Sequence, residues 1–226
     1  MNPSTAMARV IVDELVSSGV SEVVLAPGSR SAALAIALAE ADARGDLRLH
    51  VRVDERSAGF VALGLAKVGR EPVVVVTTSG TAVANLAPAM VEAAYAGVPI
   101  IALTADRPAE LRDTGASQTI DQARLFAGTV RWQHDLAAAE ERVGQVRYWR
   151  SVIARAVAVT VEAGRPGPVH VNVAFRDPLV PDADETWVEP LGLTPLGTDP
   201  DERLPVAADA RLSMTAAQPL DEILLL

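Results

Sequence analysis

Residues 71–108, EPVVVVTTSGTAVANLAPAMVEAAYAGVPIIALTADRP, contain the pattern that decides the fold of this 226-residue chain. Four consecutive valines predict a short buried strand, and the TTSG that follows predicts a turn. The Ala-rich stretch at residues 81–97 is typical of a helix and ends at a glycine, and a second Val/Ile-rich strand runs into Asp106 and Arg107. A strand, a helix and a strand in this order indicate a right-handed crossover between parallel strands.

The same alternation runs through roughly the first 175 residues. Further helices are predicted at residues 5–18, 31–43, 57–69 and 143–163, and further strands at residues 21–28, 47–53 and 167–175. Short apolar strands that alternate with helices predict an α/β fold, with a doubly wound, mostly parallel sheet and helices on both faces. We expect this domain to span residues 1–182.

Composition excludes several classes of protein. The chain has no cysteine, which rules out disulfides, thiolate metal ligands and a cysteine nucleophile. Its three histidines are too scattered to indicate a metal site, so none is predicted. A net charge of −9 without a basic block argues against nucleic acid as a partner. No apolar run reaches the length of a membrane span, and no signal-type segment is present, so we expect a cytoplasmic location and no membrane partner.

Polar residues follow four of the predicted strands, in the sequences APGSR, VDER, TTSGT and TADRP. Ligands of open parallel sheets bind beyond the carboxyl ends of the strands. The sequence therefore predicts a binding site formed by these four strand exits.

The VDER exit offers two carboxylates, Asp54 and Glu55. A partly desolvated carboxylate at a strand exit can hold or relay a proton. The alternative is an ion pair with Arg52 or Arg56, the more frequent use of a carboxylate at a surface turn.

The APGSR exit places Ser29 where a helix N-cap is expected, with Arg30 opening the helix. A cation is disfavoured at a helix N-terminus, so Arg30 indicates a nearby anion. Arg107 stands at the TADRP exit, and two arginines at adjacent exits suit a substrate with one or more carboxylates. The TTSG turn lacks a P-loop or dinucleotide pattern. For Thr81, which follows the turn, helix capping is the simpler interpretation. No Ser–His–Asp triad is visible.

Several stretches together resemble the N-terminal pyrimidine-binding domain of the MenD family: APGSRSAAL, HVRVDERSAGF, TTSGTAVANLAPAMVEAAYAGVPIIALTADRP, TGASQTID and GPVHVNVAFRDPL. These are the thiamine-diphosphate-dependent 2-succinyl-5-enolpyruvyl-6-hydroxy-3-cyclohexene-1-carboxylate synthases of menaquinone biosynthesis. The resemblance covers about residues 3–182. It implies a transferase that decarboxylates 2-oxoglutarate and adds the succinyl unit to isochorismate, using thiamine diphosphate and Mg²⁺ as a homodimer or homotetramer.

The resemblance also assigns roles to matching residues. Glu55 matches the catalytic glutamate that hydrogen-bonds the aminopyrimidine ring of the cofactor. The residues that would lie near the cofactor are Thr78, Ser79 and Gly80, and those that would surround the isochorismate carboxylates are Ser29, Arg30, Arg107 and Gln118. Ser117 stands where the family often has asparagine, so the resemblance implies no substrate contact there.

Residues 183–226 are rich in proline and polar residues and predict a linker that leads into a truncated central domain. The apolar end LDEILLL suggests that a further domain follows, although an amphipathic tail packed on the same domain is the alternative. The Gly-Asp-Gly motif that holds Mg²⁺ and the diphosphate in this class of enzyme is missing. We therefore expect the chain alone to bind no cofactor and to be inactive.

Two other functions remain open from the sequence. The first is a different thiamine-diphosphate carboligase or decarboxylase that uses another acceptor. The second is a stand-alone, non-catalytic binding module.

Overall fold

Helices and strands alternate along the part of the chain that a computed structural model describes, residues 1–193. The helices are α1 (Pro3–Ser17), α2 (Ala32–Arg44), α3 (Glu55–Gly69), α4 (Thr81–Ala84), α5 (Ala87–Ala96) and α6 (Gln145–Thr160). The strands are β1 (Glu22–Leu25), β2 (Arg48–Val51), β3 (Val73–Thr77), β4 (Ile100–Asp106), β5 (Trp132–Leu136) and β6 (Val169–Ala174). Short 3-10 helices lie at Ser29–Ser31 and Ala109–Leu111.

The strands form one six-stranded sheet in the order β2-β1-β3-β4-β6-β5, and each pair of neighbours is parallel. From β1 the chain runs outward to β2 and then crosses back to β3 on the other side of β1. This reversal makes the sheet doubly wound, and the predicted fold class is confirmed.

The sheet separates two apolar clusters. One cluster joins the sheet to α1, α2 and α6, and the other joins it to α3 and α5. Neighbouring residues of one strand face opposite clusters, as Val74 and Val75 do in β3. Because both faces are covered, apolar residues can occupy successive positions of a central strand, which explains the run of four valines in β3.

The helix predicted at residues 81–97 is in fact two helices, α4 and α5. Pro88 lies in the first turn of α5. Proline has no N–H group to bond the carbonyl four residues earlier, so a continuous helix would lose a hydrogen bond at Ala84. The first turn of a new helix tolerates proline, because that N–H has no partner there.

The sequence analysis missed β5. This strand lies at the edge of the sheet and pairs only with β6. Three of its five residues are polar (Gln133, His134 and Asp135), so the apolar alternation typical of a strand is absent.

Polar side chains occupy the carboxyl-terminal half of the sheet face that carries α3 and α5. Thr104 and Asp106 of β4, together with His170 and Asn172 of β6, are at most 1% exposed. Gln122, equally buried, approaches them from the segment 107–131, which connects β4 to β5 without an α-helix. We call these five residues the polar layer.

The segment 176–193 lies against the domain. The Met1 ammonium donates to the Thr186 carbonyl at 2.7 Å, and Glu189 accepts from the N–H groups of Gly144 and Val146 at the start of α6. Residues 183–193 of the predicted linker thus contact the domain, and the predicted boundary at residue 182 stays a prediction. The remainder of the predicted linker and the LDEILLL tail lie outside the described residues.

Burial of His170 predicts a pH-dependent stability. Desolvation lowers the pKa of this imidazole from 6.5 to about 4, so in acid the unfolded chain takes up a proton before the folded chain does. The free energy of unfolding therefore falls as the pH drops from 6.5 towards 4. At pH 5 the loss relative to pH 7 is about 2 kcal/mol.

Urea unfolding of the 226-residue chain at pH 7 and pH 5 measures this loss. The variant His170→Gln should show a smaller loss, by about 2 kcal/mol. The control His134→Gln removes a partly exposed histidine with a pKa shift in the same direction and should have a weaker effect. An unchanged acid response in His170→Gln would contradict the assignment.

Candidate functional site

The parallel sheet brings the polar strand exits to one edge. Strands β1, β3 and β4 are consecutive neighbours, so their exits at Ala26, Thr78 and Arg107 emerge side by side. The exit of β2, which leads to Glu55, lies on the far side of β1. The sequence prediction that these exits meet is supported by this topology.

The exits of β1 and β3 are in close contact through Gly28. A methyl group added at Gly28 would lie 2.5 Å from the side chain of Thr78, so only glycine fits without displacing that side chain. The backbone of Gly28 is extended, and the constraint is therefore steric rather than conformational. This contact fixes the start of the Ser29–Ser31 turn relative to β3.

Arg107 is joined to the β3 exit and to the segment 107–131. Its Nη1 donates to the hydroxyl of Ser79 and, at 2.8 Å, to the carbonyl of Gln118. Within residues 1–193 this guanidinium forms no ion pair, and its Nε and Nη2 groups donate to no protein atom. Arg107 is thus held in place while keeping hydrogen-bond donors for a ligand.

Arg30 reaches the exit of β6. Its Nη1 donates to the Phe175 carbonyl at 2.9 Å and lies 3.3 Å from a carboxylate oxygen of Asp177. Its Nε is buried and has no partner among the described residues. A buried N–H group without a protein acceptor is costly unless the oxygen of a ligand or a water accepts from it.

The two arginines are near enough to interact. Desolvation lowers the pKa of Arg107, and the positive charge of Arg30 lowers it further. Two like charges held together at a strand edge favour the binding of an anion between them.

Ser29 does not cap a helix, which corrects the sequence-based expectation. It is the first residue of the 3-10 turn, and α2 begins after Ser31. Neither helix start has a side-chain cap, and Ser29 is exposed. Its hydroxyl is therefore available at the same exit as Arg30.

Asp54 and Glu55 have different roles. Asp54 is the N-cap of α3 and accepts from the Ser57 N–H at 2.7 Å. The hydroxyl and the N–H of Ser57 lower the pKa of Asp54. Glu55 is half-buried and accepts from the Asn85 side chain at 3.2 Å. Neither carboxylate forms an ion pair within residues 1–193, so the alternative of a pair with Arg52 or Arg56 is not what the structure shows.

Thr78, Ser79 and Gly80 are buried, and polar groups of Ser79 and Gly80 have partners within the chain. The Ser79 carbonyl accepts from the Gln118 amide at 2.9 Å, and the Gly80 N–H donates to Gln122 at 2.9 Å. Gly80 has φ +76°, and a Cβ there would lie 2.8 Å from the Gln118 carbonyl. Their contact with a cofactor therefore stays a prediction.

Gln118 is exposed and has a left-handed backbone with φ 56°. This conformation turns its carbonyl towards Arg107 and its amide towards Ser79. The structure thus brings Gln118, Arg107 and Ser79 together, while the contact of Gln118 and Arg107 with a substrate stays a prediction. Ser117 beside it is exposed.

Three residues of the site were missed by the sequence analysis. Asn85 contacts Glu55, Asp177 pairs with Arg30, and Gln122 bonds to Gly80. These contacts join positions between 30 and 147 residues apart. No local pattern signals such contacts, because they depend on which strands become neighbours.

Residues 1–193 contain neither a cluster of metal-ligating side chains nor a helix that could span a membrane. No three His, Asp or Glu side chains come together in an arrangement that could ligate a metal ion. No helix in this part of the chain combines the length and the apolar character needed to cross a membrane.

Known proteins with similar sequences are synthases. The chain is 60% identical over 191 residues to a 2-succinyl-5-enolpyruvyl-6-hydroxy-3-cyclohexene-1-carboxylate synthase of Saccharopolyspora erythraea, covering 84% of this chain and 34% of the relative. It is 58% identical over 197 residues to the synthase of Kineococcus radiotolerans, with 86% and 35% covered. For the synthase of Thermobifida fusca the identity is 55% over 190 residues, with 84% and 34% covered. The chain spans about a third of the length of the curated relatives it matches.

These relatives confirm the resemblance to the MenD family that the motifs indicated. In addition, the family described as "Thiamine pyrophosphate enzyme, N-terminal TPP binding domain" matches residues 5–125, more than half of the chain. The chain therefore belongs to the thiamine pyrophosphate enzymes, as their N-terminal TPP-binding domain.

Proposed function

We propose that this chain is the pyrimidine-binding part of a 2-succinyl-5-enolpyruvyl-6-hydroxy-3-cyclohexene-1-carboxylate synthase. The proposed enzyme decarboxylates 2-oxoglutarate and adds the succinyl unit to isochorismate. The relatives that carry this name support the proposal. The observation that carries it is a pair of arginines at one edge of the sheet, whose free N–H groups suit a substrate with two carboxylates. Arg30 follows β1 and Arg107 follows β4, so their exits are separated by β3, and the adjacency expected from the sequence is wrong.

In the proposed isochorismate subsite, Arg30 and Arg107 each donate a hydrogen bond to a carboxylate oxygen. Arg30 offers its buried Nε, and Arg107 offers the N–H groups that Ser79 and Gln118 leave free. Ser29 supplies a hydroxyl at the first exit, and the exposed Gln118 side chain borders the second. Because Ser79 and Gln118 already hold Arg107, little side-chain entropy is lost on binding.

The described residues fit a thiamine cofactor at one point, Glu55. Its carboxylate has a single hydrogen bond, from Asn85, and is free to accept from a ring nitrogen of an aminopyrimidine. When bound, thiamine diphosphate supplies the nucleophilic carbon that permits decarboxylation of a 2-oxo acid. Glu55 would hold the pyrimidine ring and the proton on its nitrogen, while Thr78, Ser79 and Gly80 would border it through their backbone and carbon atoms.

Other parts of the sequence-based interpretation stay predictions. These are the requirement for Mg²⁺, the homodimeric or homotetrameric state, the cytoplasmic location and the inability of this chain alone to bind the cofactor.

A hybrid enzyme tests the proposed function. In it, residues 1–193 of this chain replace the matching region of the Saccharopolyspora erythraea relative. With thiamine diphosphate and Mg²⁺, the hybrid enzyme should convert isochorismate and 2-oxoglutarate to the named product, detected by mass spectrometry. A folded hybrid that binds the cofactor and yields no such product would reject the proposal.

Arg107→Met in the hybrid enzyme should weaken isochorismate binding. Loss of a hydrogen bond between charged groups costs about 1.5–3 kcal/mol, so the KM for isochorismate should rise about 10- to 100-fold. The KM for 2-oxoglutarate should stay within about twofold. The control Arg124→Met removes an exposed arginine of the same segment and should change neither constant. Equal effects of both variants would argue against this subsite.

Glu55→Gln in the hybrid enzyme should lower kcat about 100-fold or more, the contribution typical of a positioned proton-transfer group. Glutamine still accepts from Asn85, so the fold should be retained. Asp54→Asn is the matched control, because asparagine also caps helices and Asp54 faces Ser57 instead of the site. A larger loss of kcat in Asp54→Asn than in Glu55→Gln would reverse the two assignments.

A further inference from the structure

Gln122 makes an unusual set of contacts for a residue outside the helices and strands. It is 1% exposed and lies in the segment 107–131, between β4 and β5. Its side chain enters the polar layer. Its Oε1 accepts from the Gly80 N–H at 2.9 Å. Its Nε2 donates to the Ala105 carbonyl at 3.0 Å and to Asn172 Oδ1 at 2.8 Å.

These three contacts fix the orientation of the amide. The oxygen must face Gly80, because a backbone N–H can only donate, and the nitrogen must face Ala105, because a carbonyl can only accept. Both hydrogens of the amide are used. One side chain therefore joins the exits of β3 and β4 to β6.

The Gly80 contact matters because the Ser79–Gly80 turn carries the proposed substrate subsite. Ser79 accepts from Arg107 through its hydroxyl and from Gln118 through its carbonyl. Gly80 lies so close to the Gln118 backbone that a Cβ would be 2.8 Å from its carbonyl oxygen. A shift of this turn would therefore displace both side chains.

Gln122 is itself held by the rest of the polar layer. Asn172 Oδ1 also accepts from Thr104 at 3.0 Å, while Asn172 Nδ2 donates to Asp106 at 2.9 Å and to Asp135 at 2.8 Å. Asp106 in turn accepts from the backbone N–H of Arg107 at 2.7 Å. The network thus begins and ends at the proposed subsite.

We infer that Gln122 is a positioning residue, which sets the conformation of the Ser79–Gly80 turn and thereby the placement of Arg107 and Gln118 towards the substrate. It contacts no substrate itself, since it is buried beneath the turn. This inference deepens the proposed function. The expected effect of Gln122 on substrate binding rests on the proposed function, whereas its effect on the conformation of the turn does not.

The first experiment measures amide hydrogen exchange by NMR in the 226-residue chain. The quantity is the exchange rate of the Gly80 amide divided by that of Val24 in β1, which cancels changes in global stability. In Gln122→Met this ratio should rise about tenfold, the factor that corresponds to one net hydrogen bond. The control Gln145→Met removes another buried glutamine, one that bonds to Glu140, and should leave the ratio unchanged. An unchanged ratio in Gln122→Met overturns the inference.

Gln122→Glu is the second variant. It keeps the test possible if Gln122→Met does not fold. Glutamate keeps an oxygen for Gly80 and loses both donors to Ala105 and Asn172. The Gly80 ratio should then stay within about twofold of the unchanged chain. A tenfold rise in Gln122→Glu would show that the acceptor oxygen does not hold the turn and would overturn the inference.

The second experiment uses the hybrid enzyme with saturating thiamine diphosphate and Mg²⁺. Gln122→Met should raise the KM for isochorismate about tenfold and leave the KM for 2-oxoglutarate within about twofold. A proportional fall in kcat alone, with both KM values unchanged, is what partial unfolding predicts and would overturn the inference. If the hybrid without substitutions makes no product, the proposed function fails, and the exchange ratio still decides the role of Gln122.

Discussion

The hydrogen bonds of Asn172 are the interaction on which the functional edge of the sheet depends. This side chain is fully buried in β6 and reaches Thr104, Asp106, Gln122 and Asp135. An unpaired polar group at such a position would be costly, so each partner must be present and correctly oriented. The consequence is structural: the segment 107–131, which has no α-helix, is fixed to the sheet by the hydrogen bonds of Gln122 as well as by the apolar contacts of Phe126. Arg107 and Gln118 lie on that segment.

The same edge concentrates positive charge in an otherwise acidic chain. The net charge is −9, yet Arg30 and Arg107 lie close together, and only Arg30 has a carboxylate within ion-pair distance in the described residues. Such an arrangement lowers stability in the absence of an anion, since like charges repel and the Arg30 Nε has no acceptor among residues 1–193. Proteins tolerate local costs of this kind at functional sites. The cost is therefore an argument for a ligand that carries carboxylates.

The sequence predicts the sheet well and the site in part, for physical reasons. Strands covered on both faces carry runs of apolar residues, such as the four valines of β3, and this composition identifies them without knowledge of their neighbours. β5 escapes detection because an edge strand with polar residues has no such pattern. Arg30 and Arg107 can be found because each stands directly after a strand. Gln122 and Asn85 cannot be found in this way, because their partners are distant in sequence. No local sequence pattern predicts the strand order that brings them together.

The adjacent carboxylates at residues 54 and 55 show how backbone geometry divides the roles of similar side chains. α3 begins at Glu55, which makes Asp54 the cap and directs its oxygen to the Ser57 N–H. That hydrogen bond gives Asp54 a structural role, and the Ser57 hydroxyl together with the N–H lowers the pKa of Asp54, so this carboxylate stays ionised. Glu55, one position later, accepts a hydrogen bond from Asn85, which follows α4. The start of a helix thus decides which of two neighbouring carboxylates is free to hold a ring nitrogen.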